Sequence, residues 1–228
     1  MALAAAVGRV AVSDGASESF DSRTWASLLV AKFLDDPGLC VSWLDDAVTS
    51  YAQQFAVSDM SWSQQAAFER GSYATLLGVE HSHLDHSVTI QCVGDSLAVL
   101  LDDGEFVDSF YYRRAEAFQA RPELFCTNPG RNRPFALPHY FRIHRQSWSL
   151  GRRSAPVVLC MTDAVGQWAL RRHQRREPVW QELMRIDDAA AFETLVLDGR
   201  VSSGMRVDDA TLVRVSFDDD EDDGVPVF

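Results

Sequence analysis

The strand-like segments of this chain are bunched together instead of being dealt out between helices. Residues 73–80, 87–93, 96–101 and 106–110 carry strand patterns in close succession, with Asp102-Asp103-Gly104 as a hairpin turn between the last two. Helical spacing dominates the preceding stretch, in 22–34 (Trp25, Leu28, Leu29, Phe33), 41–56 and 62–69, and Gly71 closes that block. It returns after a strongly apolar strand at 156–161, in 163–175, 180–185 and 189–197. A buried strand at 7–13 opens the chain and a β-branched one at 211–217 ends the pattern, with two more strands expected at 136–143 and around Trp148. Consecutive strands joined by tight turns pair antiparallel, whereas a parallel sheet needs a crossover after every strand. The order therefore predicts an α+β fold with antiparallel sheets. No repeat or linker divides it, so one domain is expected over 1–217, followed by an acidic tail over 218–228.

A formal net charge of −12 makes nucleic acid an unsuitable partner, because the whole molecule repels polyanions. The acidic run 218–223 reads as a solvated tail or as a docking tail for a basic partner. Cys40, Cys92, Cys126 and Cys160 form neither a CxxC pair nor a disulfide framework. No apolar run reaches the roughly 18 residues of a membrane helix, and the first residues lack the charged region of a signal peptide. These features predict a cytoplasmic protein that does not contact membranes.

Five acidic residues stand at strand ends. Asp14 follows the first strand and precedes Gly15; Asp95 sits between two strands; Asp163 follows the most apolar strand; Asp208 and Asp209 precede the last one. A half-buried carboxylate is costly unless it is paired or bound to a cation, and oxygen-only clusters suit hard divalent ions such as Mg²⁺ or Mn²⁺. Taken singly each has an ordinary reading, since Asp-Gly turns are common and Asp163 is placed to cap the helix it opens. Their weight comes from recurring together in this order.

In that order the segments resemble the type 2C, metal-dependent serine/threonine phosphatases, and a bacterial branch of them most closely. VAVSDGASES (10–19) resembles the family's first Asp-Gly motif, and ATLLG (74–78) the strand after its long helices. Val93-Gly94-Asp95-Ser96 resembles its Gly-Asp-Ser motif. Thr162-Asp163-Ala164 with Trp168 resembles the branch's form of Thr-Asp-Gly, and MRVDDATL (205–212) its closing motif. The likeness spans roughly residues 7–217. It implies a four-layer α-β-β-α sandwich, two antiparallel sheets flanked by helices, with a two-metal centre of Mn²⁺ or Mg²⁺. By motif, Asp14 would bridge both ions and the Gly15 carbonyl would bind one. Asp163 and Asp208 would hold the other, and Asp95 with Asp163 a weaker third. The implied activity is hydrolysis of phosphoserine and phosphothreonine by a metal-activated water. The implied partners are phosphorylated proteins, through a Ser/Thr kinase or its targets.

Two departures temper this. The family carries an acidic motif upstream of Asp-Gly, on the neighbouring strand, yet residues 1–13 contain no Asp or Glu. Its phosphate-gripping basic residue also lies upstream and has no counterpart here. The sequence reads as starting after that motif, and a site short of one carboxylate would bind its cations weakly. The alternative function is therefore a catalytically impaired member of the fold that binds phosphoproteins or a kinase. Ala16 stands where some relatives carry a histidine.

Other clusters carry less. His81, His83, Asp85 and His86 suit either a transition-metal site or a polar hairpin loop. Arg113, Arg114, Arg121, Arg131, Arg133, Arg142 and Arg145 make 111–150 locally basic, as a lobe that holds a phosphoprotein or as a solvated face. Asp14 lacks the Asp-x-Ser-x-Ser pattern of an adhesion site. Neither Asp14 nor Asp163 begins the Asp-x-Asp of a haloacid-dehalogenase nucleophile.

Overall fold

The computed structural model describes residues 1–17 and 19–217, so the acidic run 218–223 lies outside the described residues. In chain order the elements are β1 (Ala2–Ala6), β2 (Arg9–Ser13), α1 (Ser22–Asp35), α2 (Val41–Ala52), α3 (Trp62–Arg70), β3 (Tyr73–Ala74), β4 (Leu76–Ser82), β5 (Ser87–Val93), β6 (Leu97–Asp102), β7 (Glu105–Phe110), β8 (Phe125–Cys126), α4 (Tyr140–Ile143), β9 (Arg145–Ser149), β10 (Pro156–Met161), α5 (Asp163–Gln174), α6 (Val179–Met184), α7 (Ala189–Ser202) and β11 (Leu212–Ser216). The class is α+β, and β1–β2, β2–β4, β3–β8, β6–β7, β6–β10 and β10–β11 all pair antiparallel. No helix among the described residues is long and apolar enough to cross a membrane. All four cysteines are free.

The described residues form two compact units with interleaved segments. The first takes Met1–Leu84, Val88–Gly94 and Glu123–Trp148; the second takes Asp85–Ser87, Asp95–Pro122 and Ser149 onward.

In the first unit a sheet of order β1-β2-β4-β5-β9 carries α1 on one face. Asp21 starts α1 by accepting a hydrogen bond from the Thr24 amide, which satisfies a donor the helix itself cannot. The apolar stripe Trp25, Leu29 and Phe33 then packs with Trp43, Leu44 and Tyr51 of α2 and with Leu76, Phe125 and Phe135. Burial of each such side chain is worth about 1.5–3 kcal/mol. α1 approaches the sheet so closely that a Cβ on Gly78 would lie 2.2 Å from the Phe33 ring. Only glycine leaves room there.

The second unit is built on a sheet of order β11-β10-β6-β7. Leu97, Leu159, Met161, Trp168, Trp180, Leu183 and Phe192 fill its core with helices α5, α6 and α7. β10 is buried along both faces from Val157 to Met161, which is why it reads as an unbroken apolar run instead of an alternating one. The Asp103-Gly104 turn between β6 and β7 has positive φ at both residues, as a two-residue hairpin of this twist requires. Arg172 on α5 pairs with Glu177 and Glu182, each at 2.5 Å, and lies over the Trp168 ring.

Three expectations need correction. The opening strand expected at 7–13 is the second arm of a hairpin, β1–β2, turning at Val7-Gly8 with Gly8 at φ +68°. The alanine run of β1 has no periodicity to announce it. Residues 136–143 are not a strand: a 3₁₀ turn at Arg133–Ala136 and the short helix α4 occupy the region. Pro134 and Pro138 break any ladder, and Phe125, Phe135 and Tyr140 pack their rings edge to face at 4.9 Å spacing. The basic segment 111–150 is not one lobe. Its seven arginines are all exposed, but it divides between the units at Pro122 and Glu123.

Candidate functional site

Sheet register brings three of the expected carboxylates to one end of the second unit's sheet. β10 pairs with β6 so that Met161 faces Leu97, and with β11 so that Met161 faces Leu212. Asp95 lies two residues before Leu97, Asp163 two residues after Met161, and Asp208 four residues before Leu212. All three therefore leave the sheet at the same edge.

Threonines hold that edge in place. The Thr162 hydroxyl donates to the Asp209 carbonyl at 3.1 Å and accepts from the Thr211 amide at 3.0 Å. The Thr162 amide in turn donates to the Thr211 carbonyl at 3.3 Å. The loop carrying Asp208 is thus tied to the C-terminal end of β10. Its other end is anchored on α7, where the Met205 amide donates to the Gly199 carbonyl and Arg200 donates to the Asp208 carbonyl.

Asp163 is the first residue of α5, not its cap. Thr162 occupies the cap position, and Asp163 Oδ1 accepts from the adjacent Ala164 amide at 2.7 Å. Its side chain is 9% exposed, and its Oδ2 meets the Arg206 guanidinium at 2.9 Å. The same guanidinium lies 3.6 Å from Asp208 Oδ2, on a side chain 48% exposed. One arginine therefore spans two of the expected ligands.

The charge is not balanced by it. Burial pushes the Asp95 carboxyl up from 3.8 to about 6, and the Asp163 charge adds to this. Burial also raises Asp163, with Arg206 pulling against it and Asp208 reinforcing it. Three carboxylates lie at that end of the sheet, Asp208 among them half-exposed, with the Arg206 guanidinium beside two of them and Arg200 on the Asp208 carbonyl.

Asp14 and Gly15 belong to the first unit. The segment 14–16 runs antiparallel beside 73–75: the Asp14 amide donates to Thr75 Oγ1 at 2.9 Å, and the Thr75 amide to the Asp14 carbonyl at 2.8 Å. A Cβ on Gly15 would lie 2.7 Å from Ser22, so glycine is required where the chain passes the start of α1. The His81 and His83 rings lie 4.2 Å apart, tilted by 54°, and His83–His86 form the turn between β4 and β5.

Among the described residues no group of three or more His, Cys, Asp or Glu side chains is spaced to hold a metal ion. The donor chemistry at the sheet edge nevertheless suits hard divalent cations, being carboxylate oxygen throughout and carrying excess negative charge. In this structure the cation between Asp163 and Asp208 is the Arg206 guanidinium. Sequence reasoning gave Arg206 no role. The available signal was a basic residue two positions before Asp208, inside a loop otherwise read for its acids. The threonines were also overlooked as anchors, although Thr162 and Thr211 flank the two expected ligand segments.

No protein-family model matches the sequence, and no curated protein is significantly similar to it. Solved structures do match over nearly the whole chain. The serine/threonine phosphatase PstP/Ppp of Mycobacterium tuberculosis is 17% identical, with a TM-score of 0.54 over 93% of this chain and 89% of that one. The catalytic domain of PstP in complex with two manganese ions is 16% identical, with a TM-score of 0.53 over 93% and 88%. PppA of Pseudomonas aeruginosa, described as a key regulatory component of T6SS, is 17% identical, with a TM-score of 0.52 over 95% and 90%.

Proposed function

We propose, for a chain whose fold is that of the type 2C serine/threonine phosphatases, that it hydrolyses phosphoserine and phosphothreonine on proteins with the help of Mn²⁺ or Mg²⁺. The observation that carries this reading is the convergence of Asp95, Asp163 and Asp208 at one sheet edge with more negative charge than Arg206 offsets. Divalent cations held there would activate water and stabilise charge on the phosphoryl oxygens.

The residues divide the work by position. Asp163, buried and fixed by the Ala164 amide, is the rigid ligand, and Asp208 is the exposed one on an anchored loop. Asp95 would share a further cation with Asp163, and its raised carboxyl reflects a charge awaiting compensation. By resemblance of motif, Asp14 and the Gly15 carbonyl are proposed as metal ligands as well. The chain needs no side-chain nucleophile in this scheme. A phosphoprotein substrate, a source in Ser/Thr kinase signalling and a cytoplasmic setting complete the proposal.

One observation favours a second reading. Because Arg206 already spans Asp163 and Asp208, the protein could instead be a non-catalytic member of the fold that binds phosphoproteins or a kinase. Turnover of a phosphothreonine peptide separates the two. The phosphatase reading expects Mn²⁺-dependent release of phosphate that falls at least a hundredfold in Asp163→Asn. Absence of turnover, with no Mn²⁺ heat in calorimetry, would leave only the binding role.

A further inference from the structure

Of Arg206 and the two carboxylates beside it, only Asp163 is buried. Asp163 is 9% exposed, so its carboxylate recovers little hydration when its partner leaves. Arg206 is 46% exposed on a loop between Gly204 (φ +73°) and the anchored Asp208, so its guanidinium can turn to solvent. The contacts are unequal as well. The bond to Asp163 Oδ2 is of hydrogen-bonding length at 2.9 Å, whereas Asp208 Oδ2 is only an ion-pair neighbour at 3.6 Å. Two anionic oxygens thus face one monovalent, displaceable cation that belongs to the chain itself.

Resting on the metal-dependent reading above, we infer that Arg206 is a tethered counter-ion that occupies the Asp163–Asp208 seat and must leave before a divalent cation enters it. The seat cannot hold both, since each needs Asp163 Oδ2 and the guanidinium would lie against the ion. Displacement costs nothing in covalent structure. It exchanges one charge-assisted hydrogen bond for cation–carboxylate bonds and returns the guanidinium to water. Metal affinity is then lowered by the fraction of molecules in which the arginine is away. If that fraction is about a tenth, the loss is about tenfold.

The test is calorimetric titration of MnCl₂ into the chelator-stripped full chain. Arg206→Gln is expected to bind Mn²⁺ on the order of tenfold more tightly than the parent. Arg206→Lys keeps the charge without the planar fork and should fall between them. The metal-free Arg206→Gln protein should also melt at a lower temperature than the parent and recover on adding Mn²⁺, because Asp163 has lost its partner. Arg175→Gln removes the same charge from the exposed residue that follows α5, at the opposite end of that helix from Asp163. Its affinity should stay within about twofold of the parent at physiological salt.

Equal or weaker Mn²⁺ binding in Arg206→Gln, with binding still lost in Asp163→Asn, would overturn this inference and leave the metal site standing. An equal gain in Arg175→Gln would overturn it too, as general electrostatics. No Mn²⁺ binding in any variant would remove the metal site and this inference together.

Discussion

Replacing Asp95 by Asn in the metal-free protein should stabilise it, and only above acidic pH. The carboxyl stands at about 6 against an ordinary 3.8, first because it is buried and next because Asp163 is charged beside it. A folded-state value above the unfolded one means that the folded protein holds the proton more tightly. This group therefore costs nothing below about pH 4, costs progressively more as pH rises toward 6, and imposes its full penalty above that. The gap of about two pH units corresponds to roughly 3 kcal/mol. Asparagine keeps an oxygen to accept the bond from its own backbone and removes the charge. The variant should gain up to ~3 kcal/mol at pH 7.5, or about 6–12 °C in melting temperature for a chain of this size. At pH 4 the two proteins should melt together. Calorimetric or fluorescence melts in the presence of EDTA, at pH 4 and pH 7.5, read the difference directly. A gain of the same size at both pH values would refute the electrostatic origin, and a loss at pH 7.5 would show that the carboxylate is already compensated.

Two further outcomes probe the scaffold of the first unit. Gly78→Ala should destabilise the protein by about 1–3 kcal/mol in urea titration, because a Cβ would meet the Phe33 ring at 2.2 Å with backbone on one side and a packed helix on the other. Trp25→Phe removes the indole N–H that donates to the buried Phe125 carbonyl at 2.9 Å. Since that carbonyl is left in a dry core, a loss of about 1–3 kcal/mol is expected, visible as a lower urea midpoint at unchanged slope.

The strands and helices with strong periodicity were legible from the sequence. α1, the β6–β7 hairpin at Asp103-Gly104 and the apolar β10 running into α5 all lie where the pattern puts them. The division of the N-terminal strand into β1 and β2 was not legible, because the four alanines and one leucine of β1 carry no signature of their own and the pairing with β2 is what makes the hairpin. Residues 136–143 were misread as a strand because the aromatic residues there are spaced by ring packing, not by backbone period, whereas the strand expected around Trp148 is β9. At the site, the acids could be picked out by their places at strand ends, and register then accounts for why Asp95, Asp163 and Asp208 share an edge. Arg206 escaped notice for a physical reason. A counter-ion announces itself only through the geometry of the charges it answers, and two carboxylates separated by 45 residues do not show in sequence that one guanidinium reaches both.

The hydroxyl of Thr162 grips the chain at Asp209, one residue beyond Asp208. Between the Met205 anchor on α7 and that clasp, the exposed Arg206 and Val207 can change their side chains without shifting the carboxylate that follows. Variation in that stretch can retune what competes for Asp208 while the distance from Asp208 to the end of β10 stays constant. The clasp separates the part of the loop that sets position from the part that sets occupancy.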